Sequence, residues 1–287
     1  MSGLIHTHVN KISMKSEKKI AVIGVGYVGK AVYELYVGHY EVVSYDLMVK
    51  TGWGAVEEWP EDGFADCELA VISVPTPQSD SGACDTSIVE EMVAKLNSKI
   101  IMIKSTVTPG TTAKLQDKYP DKKLVFSPEF AGESTYWSPY AFDTDMKALP
   151  YQIIGGPREY TSKVVELMLP ILGPTKEYCQ TDTTSAELVK YMENSFYALK
   201  VIFCNEMYEV CKAFNVDYNE VRELWTKDPR ISKMHTAVFP DQRGYSGKCF
   251  PKDTNGLYHA SKERGYEIKV MRAMIEKNDE FLEMNKK

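Results

Sequence analysis

No stretch of the 287-residue chain approaches the ~18 uninterrupted apolar residues of a membrane-spanning helix, so a helical membrane protein is excluded. Positive charge is not in excess either. Lys and Arg total 34 against 40 Asp and Glu, a formal net charge of −6. A general nucleic-acid binder or a protein of anionic membrane surfaces needs a basic face, and neither is expected. The six cysteines, at 67, 84, 179, 204, 211 and 249, include no CxxC pair and are too sparse for a disulfide framework. That points to a reducing, cytoplasmic setting with no metal site. Hydrophobic residues at 44% and charged residues at 26% leave an ordinary globular chain, neither disordered nor fibrous. Its length suggests about two domains at roughly 150 residues each.

What is present falls into a tail and two unlike halves. Residues 1–18 lack the apolar core of a secretion signal and are expected to be disordered, with His6 and His8 solvated and Met14 available as an alternative start. From Lys19 apolar strands alternate with helical stretches. Strands are expected at 19–25, 41–46, 68–75, 99–105, 124–129, 152–156 and 175–179, and helices at 29–38, at 87–96 and after Gly110. Continuous apolar strands separated by helices read as βαβ units around a parallel sheet buried on both faces. The expected fold is therefore α/β: a Rossmann-like, doubly wound parallel sheet over 19–181, then a long connecting helix and a small helical domain over 182–287.

Gly24, Gly26 and Gly29 form GVGYVG where the first strand turns into the first helix, and Asp46 ends the next strand about 20 residues later, as a dinucleotide fingerprint requires. The first glycine permits the tight turn, the second lets backbone approach a pyrophosphate, and the third allows close helix–sheet packing. The helix N-terminus offers its free N–H groups to phosphate. Asp46 suits both ribose hydroxyls and repels a 2′-phosphate, which favours NAD. Tyr27, Val28 and Lys50 join these residues as cofactor candidates. Thr76 in SVPTPQ and Thr106 in KSTVTPGT lie just past strand ends, on the edge where open α/β sheets bind ligands. They either touch cofactor or substrate or cap the helices that follow.

The second half is helical from Thr183 to about Phe214, and again at 252–263 and 269–283. The long helix carries apolar residues on more than one stripe, which makes it a candidate connector and dimer core. Lys190 and Asn194, four apart, share one face and beside a cofactor cleft would supply a cation and an amide donor for an oxyanion. Cys249 sits in GYSGKCFPKD among glycine and charge, with Lys248 and Lys252 near enough to favour a thiolate. It is either a reactive thiol or, as the other five are read, a small hydrophobe.

GVGYVG with Asp46, SVPTP, STVTPGT, SPEF (127–130), AELVKYMEN (186–194), FCNE (203–206), DPRI (228–231) and GYSGKCFPKD (244–253) occur in the order and spacing of the UDP-glucose 6-dehydrogenase and GDP-mannose dehydrogenase family. The chain resembles that family from about Lys19 to its end. The resemblance implies two NAD-dependent oxidations of a primary sugar alcohol to a carboxylate. Cys249 would attack the intermediate aldehyde to give a thiohemiacetal and then a thioester. Lys190 and Asn194 would stabilise the oxyanion, and Asp253 would work with Lys190 and a water in proton transfer. Glu129 would serve as acid/base for hydrolysis, with Thr106 ordering the water. Glu133 resembles a residue near the nicotinamide, and Arg230 a substrate contact reached across a dimer interface. Glu129, Lys190, Asn194, Arg230 and Gly247 form the implied substrate set.

Three departures accompany the resemblance. Ala131 and Gly132 stand where the family has Leu and often Arg, and Ser246 replaces a glycine. The chain also ends at Lys287, whereas the family normally continues into a second Rossmann-like domain that holds the nucleotide of the substrate. The leading expectation is an active homodimeric, cytoplasmic dehydrogenase acting on a sugar nucleotide. A half-enzyme completed by another polypeptide and a catalytically silent NAD-binding interaction protein are the alternatives.

Overall fold

A computed structural model describes residues 16–79, 83–130 and 146–286. Most of the expected disordered tail, together with Glu133, Ala131 and Gly132, lies outside the described residues. The chain forms β1 (Lys19–Ile23), α1 (Tyr27–Tyr36), β2 (Glu41–Tyr45), β3 (Cys67–Ile72), α2 (Ser87–Lys95), β4 (Ile101–Ile103), α3 (Thr111–Lys118) and β5 (Leu124–Phe126). After these come β6 (Tyr151–Gly155), α4 (Arg158–Leu172), β7 (Glu177–Thr181), α5 (Thr183–Ala213), α6 (Tyr218–Trp225), α7 (Phe250–Glu263) and α8 (Lys269–Met284).

The strands make one sheet in the order β2-β1-β3-β4-β5-β6-β7. Alternation along each strand separates two cores. Ile20, Val22, Leu69, Val71 and Met102 face α1 and α4, where Val32, Leu35, Val164 and Leu167 meet them. Ala21, Ile23, Ala70, Ile72, Ile101 and Ile103 face α2 and α3, packing on Val89, Val93 and Leu115. Strands buried on both faces carry no polar alternation, which is why they read as continuous apolar runs.

The sheet departs from the expectation in one respect. β6 runs antiparallel to β5, pairing Phe126 with Gly155, so the sheet is mixed. β7 is displaced from the expected 175–179 because it is an edge strand, half-buried along most of its length, with no apolar run to mark it. Two helices had not been anticipated. α4 carries Val164, Leu167, Met168 and Leu172 at helical spacing but has Pro170 in its last turn. α6 is only 8 residues long and is capped by Asp217, whose carboxylate accepts from the Asn219 N–H.

α5 spans 31 residues from a local cap, Asp182, whose carboxylate accepts from the Ser185 backbone. Its first turns pack on the sheet through Ala186. Farther on, Ala198 and Ile202 join Tyr245, Met271, Met274 and Phe281 in a separate core with α7 and α8. One rigid helix thus carries residues from the sheet edge into the helical part.

Candidate active site

The strand order reverses between β1 and β3: the chain goes from β1 outward to β2, then crosses back to β3 on the other side. In doubly wound sheets the crevice at the carboxyl ends of two such strands binds ligands. The glycine turn lies there. A Cβ on Gly24, which has φ +87°, would stand 2.6 Å from the Ser73 carbonyl oxygen, and one on Gly29 would stand 1.9 Å from the Gly24 carbonyl oxygen. Only glycine allows these approaches. A Cβ on Gly26 would meet nothing within 4 Å, so the α1 N-terminus faces open space, with no side-chain cap and no acidic residue in its first turn. That opening and the free N–H groups fit a pyrophosphate. Tyr27 is exposed beside the turn, and Val28 packs partly into the sheet core.

Asp46 stands just past β2. Its Oδ2 accepts from the Val25 N–H at 2.7 Å, and its Oδ1 from Met48 and Val49 at 2.7 and 3.1 Å. Partial burial alone would raise its carboxyl, but these three bonds and nearby Lys50 outweigh that and hold it below the usual range. With both Oδ1 positions filled and one on Oδ2, a single acceptor position remains, narrower than the pair of ribose bonds expected. Lys50 lies over the Tyr45 ring at 5.3 Å. These groups fit NAD.

Farther along the same edge, the Thr76 hydroxyl caps no helix. It donates to the Thr106 carbonyl at 2.8 Å, and the Cys84 thiol reaches that oxygen at 3.3 Å. Past β5, Glu129 is buried and ion-paired at 3.2 Å with Lys104, itself buried at the end of β4. Lys104 also donates to the Pro128 carbonyl at 3.2 Å. Phe130, next to Glu129, lies under the Lys190 ammonium, 5.5 Å from ring centre to Nζ.

The helical part meets this edge with a connected set. Lys190 Nζ is 3.4 Å from Asn194 Oδ1, and Asn194 Nδ2 donates to Asp253 at 2.5 Å. Asp253, buried in the first turn of α7, is also paired with Lys252 at 2.6 Å. Cys249 is the N-cap of that helix and is exposed. A thiol at a helix N-terminus, flanked by Lys248 and Lys252, is in the kind of field that stabilises a thiolate. Gly247, at φ +84°, has open space where a side chain would project.

Thr106, tied to Thr76 and Cys84, and Gly247 have no described contact with this set, and two further sequence-predicted residues also stay outside it. Arg230 lies in solvent and holds Asp228 at 2.6 Å. Glu133 lies outside the described residues. Residues that sequence reasoning missed include Lys104, Glu187 and His235. Glu187 is wholly buried, and its carboxylate accepts from the Gly110 and Thr112 N–H groups and the Thr112 hydroxyl. His235 stacks on Tyr197 with ring centres 4.4 Å apart and touches Phe250, the residue after Cys249. Burial, with Lys200 nearby, lowers its pKa to about 4 and keeps it neutral. No local pattern marked these residues, because each acts across a long sequence separation. No group of three or more potential metal ligands occurs among the described residues.

Residues 49–168 match the NAD binding domain of the UDP-glucose/GDP-mannose dehydrogenase family, and residues 184–280 match its central domain. A UDP-glucose 6-dehydrogenase of Haloferax volcanii is 28% identical over 91% of this chain and 69% of its own length. A UDP-glucose 6-dehydrogenase of Pseudomonas aeruginosa is 30% identical over 76% of this chain, which spans about half of that relative, 49%. The structure of a UDP-glucose dehydrogenase from Pyrobaculum islandicum aligns with a TM-score of 0.76 at 24% identity, over 94% of this chain and 69% of that one.

Proposed function

Because this chain belongs to the UDP-glucose/GDP-mannose dehydrogenase family, we propose that it is an NAD-dependent oxidoreductase converting the C6 alcohol of a sugar nucleotide, with UDP-glucose the first candidate, to the carboxylate. The observation that carries this reading is the chain of contacts Lys190–Asn194–Asp253 ending one helical turn from Cys249. NAD, when bound, accepts a hydride in each of two oxidations. The protein's groups do the rest. Gly24, Gly26 and Asp46 orient the dinucleotide, and the open α1 N-terminus takes its phosphates.

The Cys249 thiolate adds to the aldehyde carbon, forming a C–S bond, and the carbonyl oxygen becomes a thiohemiacetal oxyanion or hydroxyl. Lys190 and Asn194 stabilise that oxygen. After the second oxidation the thioester is hydrolysed: water adds to the carbonyl carbon, the C–S bond breaks, and the thiolate leaves. Glu129, buried against Lys104, takes the water proton, with Thr106 ordering that water, and Asp253 exchanges protons with Lys190.

The second copy implied by Arg230 would cover an exposed apolar face of α5 and α6. Met192, Phe196, Phe203, Leu224 and Trp225 are all exposed there, a density unusual for a solvated helix surface. We read the protein as a cytoplasmic homodimer on that basis. Support for the setting comes from the sequence, whose six cysteines include no CxxC pair and are too sparse for a disulfide framework.

The decisive experiment mixes protein, NAD and UDP-glucose, counts NADH and identifies the product, with Cys249→Ser alongside. Two NADH per UDP-glucuronate, with acid formation in the variant reduced at least about a thousandfold, is expected for a lost nucleophile. NADH without acid, or acid formation indifferent to the substitution, would refute the thioester route.

A further inference from the structure

We propose that Glu187 is a positioning residue for this reaction: together with Arg264 it fixes the 105–110 loop and the start of α3, and with them Thr106, at a set distance from Lys190, Asn194 and Cys249. The inference rests on the dehydrogenase reading above.

The helices of this protein that begin with a side-chain cap use a local one. Asp182 caps α5 and Asp217 caps α6, each from the position just before the helix. α3 instead begins at Gly110, in the left-handed region at φ +92°, with no cap of its own. Its cap comes from 77 residues away. Glu187 Oε2 accepts from the Gly110 N–H at 2.5 Å, while Oε1 accepts from the Thr112 N–H at 2.9 Å and from its hydroxyl at 2.6 Å. A carboxylate is well suited to a helix N-terminus, where the macrodipole is positive.

A buried carboxylate is a poor device for stability alone. Burial raises the Glu187 carboxyl, and the bonds from Thr112 and Gly110 only partly pull it back. Its position on α5 supplies the better reason. Glu187 precedes Lys190 by three residues and Asn194 by seven, so all three project toward one side of the same helix. The loop is held from a second direction as well. Arg264, the C-cap of the helix that begins at Cys249, donates from Nη2 to the Pro109 carbonyl at 2.9 Å. The two helices that carry the proposed chemistry therefore both grip the loop that follows β4. Thr106 lies in that loop, its carbonyl tied to Thr76 on the neighbouring strand end.

The test compares wild type with Glu187→Gln, which keeps the shape but puts an amide donor against backbone N–H donors, and with Glu187→Asp. NAD affinity should stay within about twofold, because Gly24, Gly26 and Asp46 stand on other strands, while kcat falls about ten- to a hundredfold, as expected of an ångström-scale misplacement. KM for UDP-glucose should change less than kcat, Glu187→Asp should regain part of the loss, and amide exchange over 110–118 should quicken. A folded Glu187→Gln with kcat within about twofold of wild type, or NAD affinity falling in step with kcat, would overturn the proposal. If Glu187→Gln does not fold, Arg264→Met loosens the same loop from α7 and is judged by the same criteria. If wild type makes no NADH from sugar nucleotides, the dehydrogenase reading fails on its own account. The clamp is then decided by amide exchange over 110–118 and by the alkylation rate of Cys249: changes in both support it, and unchanged rates in a folded variant refute it.

Discussion

Strand β4 is only three residues long, and each of its ends carries a lysine–glutamate pair. At the amino end Lys99 meets Glu68 at 2.5 Å, with 61% and 28% of the two side chains exposed. At the carboxyl end Lys104 meets Glu129 at 3.2 Å, with 4% and 8% exposed. Bond length ranks the first pair higher, and solvent ranks the second. The surroundings follow the same division. At the amino end a cavity of about 560 Å³ is lined by Lys18, Lys99, Lys122, Lys123 and Lys163, and it is larger than the cavity of about 250 Å³ between α3 and α7. One of its lysines already has a purpose: α2 ends there, and Lys122 donates to the carbonyl of Leu96, the C-cap of that helix. Cations beside helix C-termini balance the negative end of the macrodipole. At the carboxyl end the helix N-termini converge instead, together with the glycine turn and Asp46. Neither cavity size nor a short ion pair locates a site here. The direction of the helices does.

The largest effect should come from Lys104→Met, which removes the buried cation paired with Glu129. Removing one partner of a buried pair costs about 3–5 kcal/mol, so chemical denaturation should show a loss of that order, and acid formation should fall with it. A loss below about 1 kcal/mol would place this pair with the exposed ones and erase the contrast between the two ends of β4.

Asp46→Ala should come next. It removes the acceptor of three backbone N–H groups as well as the ribose contact, and hydrogen bonds to a charged group are worth roughly 1.5–3 kcal/mol, so NAD affinity should drop about ten- to a hundredfold by calorimetry. Discrimination against NADP should narrow in the same titration. The pH dependence has a definite sign. Because the folded carboxyl is held below its ordinary value of 3.8, its contribution to stability is present above that value and is lost as pH falls through the lowered one. Wild type and Asp46→Asn should therefore differ in melting temperature at neutral pH and converge on acidification. A gap that persists into acid would show that Asp46 acts by shape alone.

The carboxyl edge was largely legible in the sequence because its requirements are local. Gly24 and Gly29 are dictated by contacts within a few residues or with the adjacent strand, and Asp46 sits where the fingerprint puts it. Strands β1, β3 and β4 could be read because burial on both faces forces an apolar run. The antiparallel turn of β6 could not be read, since Tyr151–Gly155 pairs with β5 through Phe126 and Gly155 and nothing in its composition specifies direction. Thr76 illustrates a different limit. Its position was informative, yet both readings of its hydroxyl missed the bond to Thr106, 30 residues away. Lys104 and Glu187 were invisible for the same reason, as a buried charge is justified only by a partner that the fold supplies. Cys249, Lys190, Asn194 and Asp253 could be singled out through local spacing and resemblance, but the contacts joining Asn194 to Asp253 belong to the tertiary structure.

The smallest effect should be that of Lys99→Met. Its ion pair is shorter than that of Lys104, but water screens it and both side chains lose rotamer freedom to hold it, which limits such pairs to about 0–1 kcal/mol. Stability should therefore change by less than about 1 kcal/mol, NAD affinity should be unaltered, and the small difference should fade as salt shortens the Debye length to about 3 Å near 1 M. The same substitution type at the two ends of one three-residue strand holds side-chain chemistry constant and varies only burial. If Lys99→Met were as damaging as Lys104→Met, the amino-edge lysines would have to be more than counter-charges to helix ends. The larger cavity would then be an anion-binding surface in its own right, and its measure would be an anion affinity that weakens with salt and falls on removing Lys18, Lys123 or Lys163.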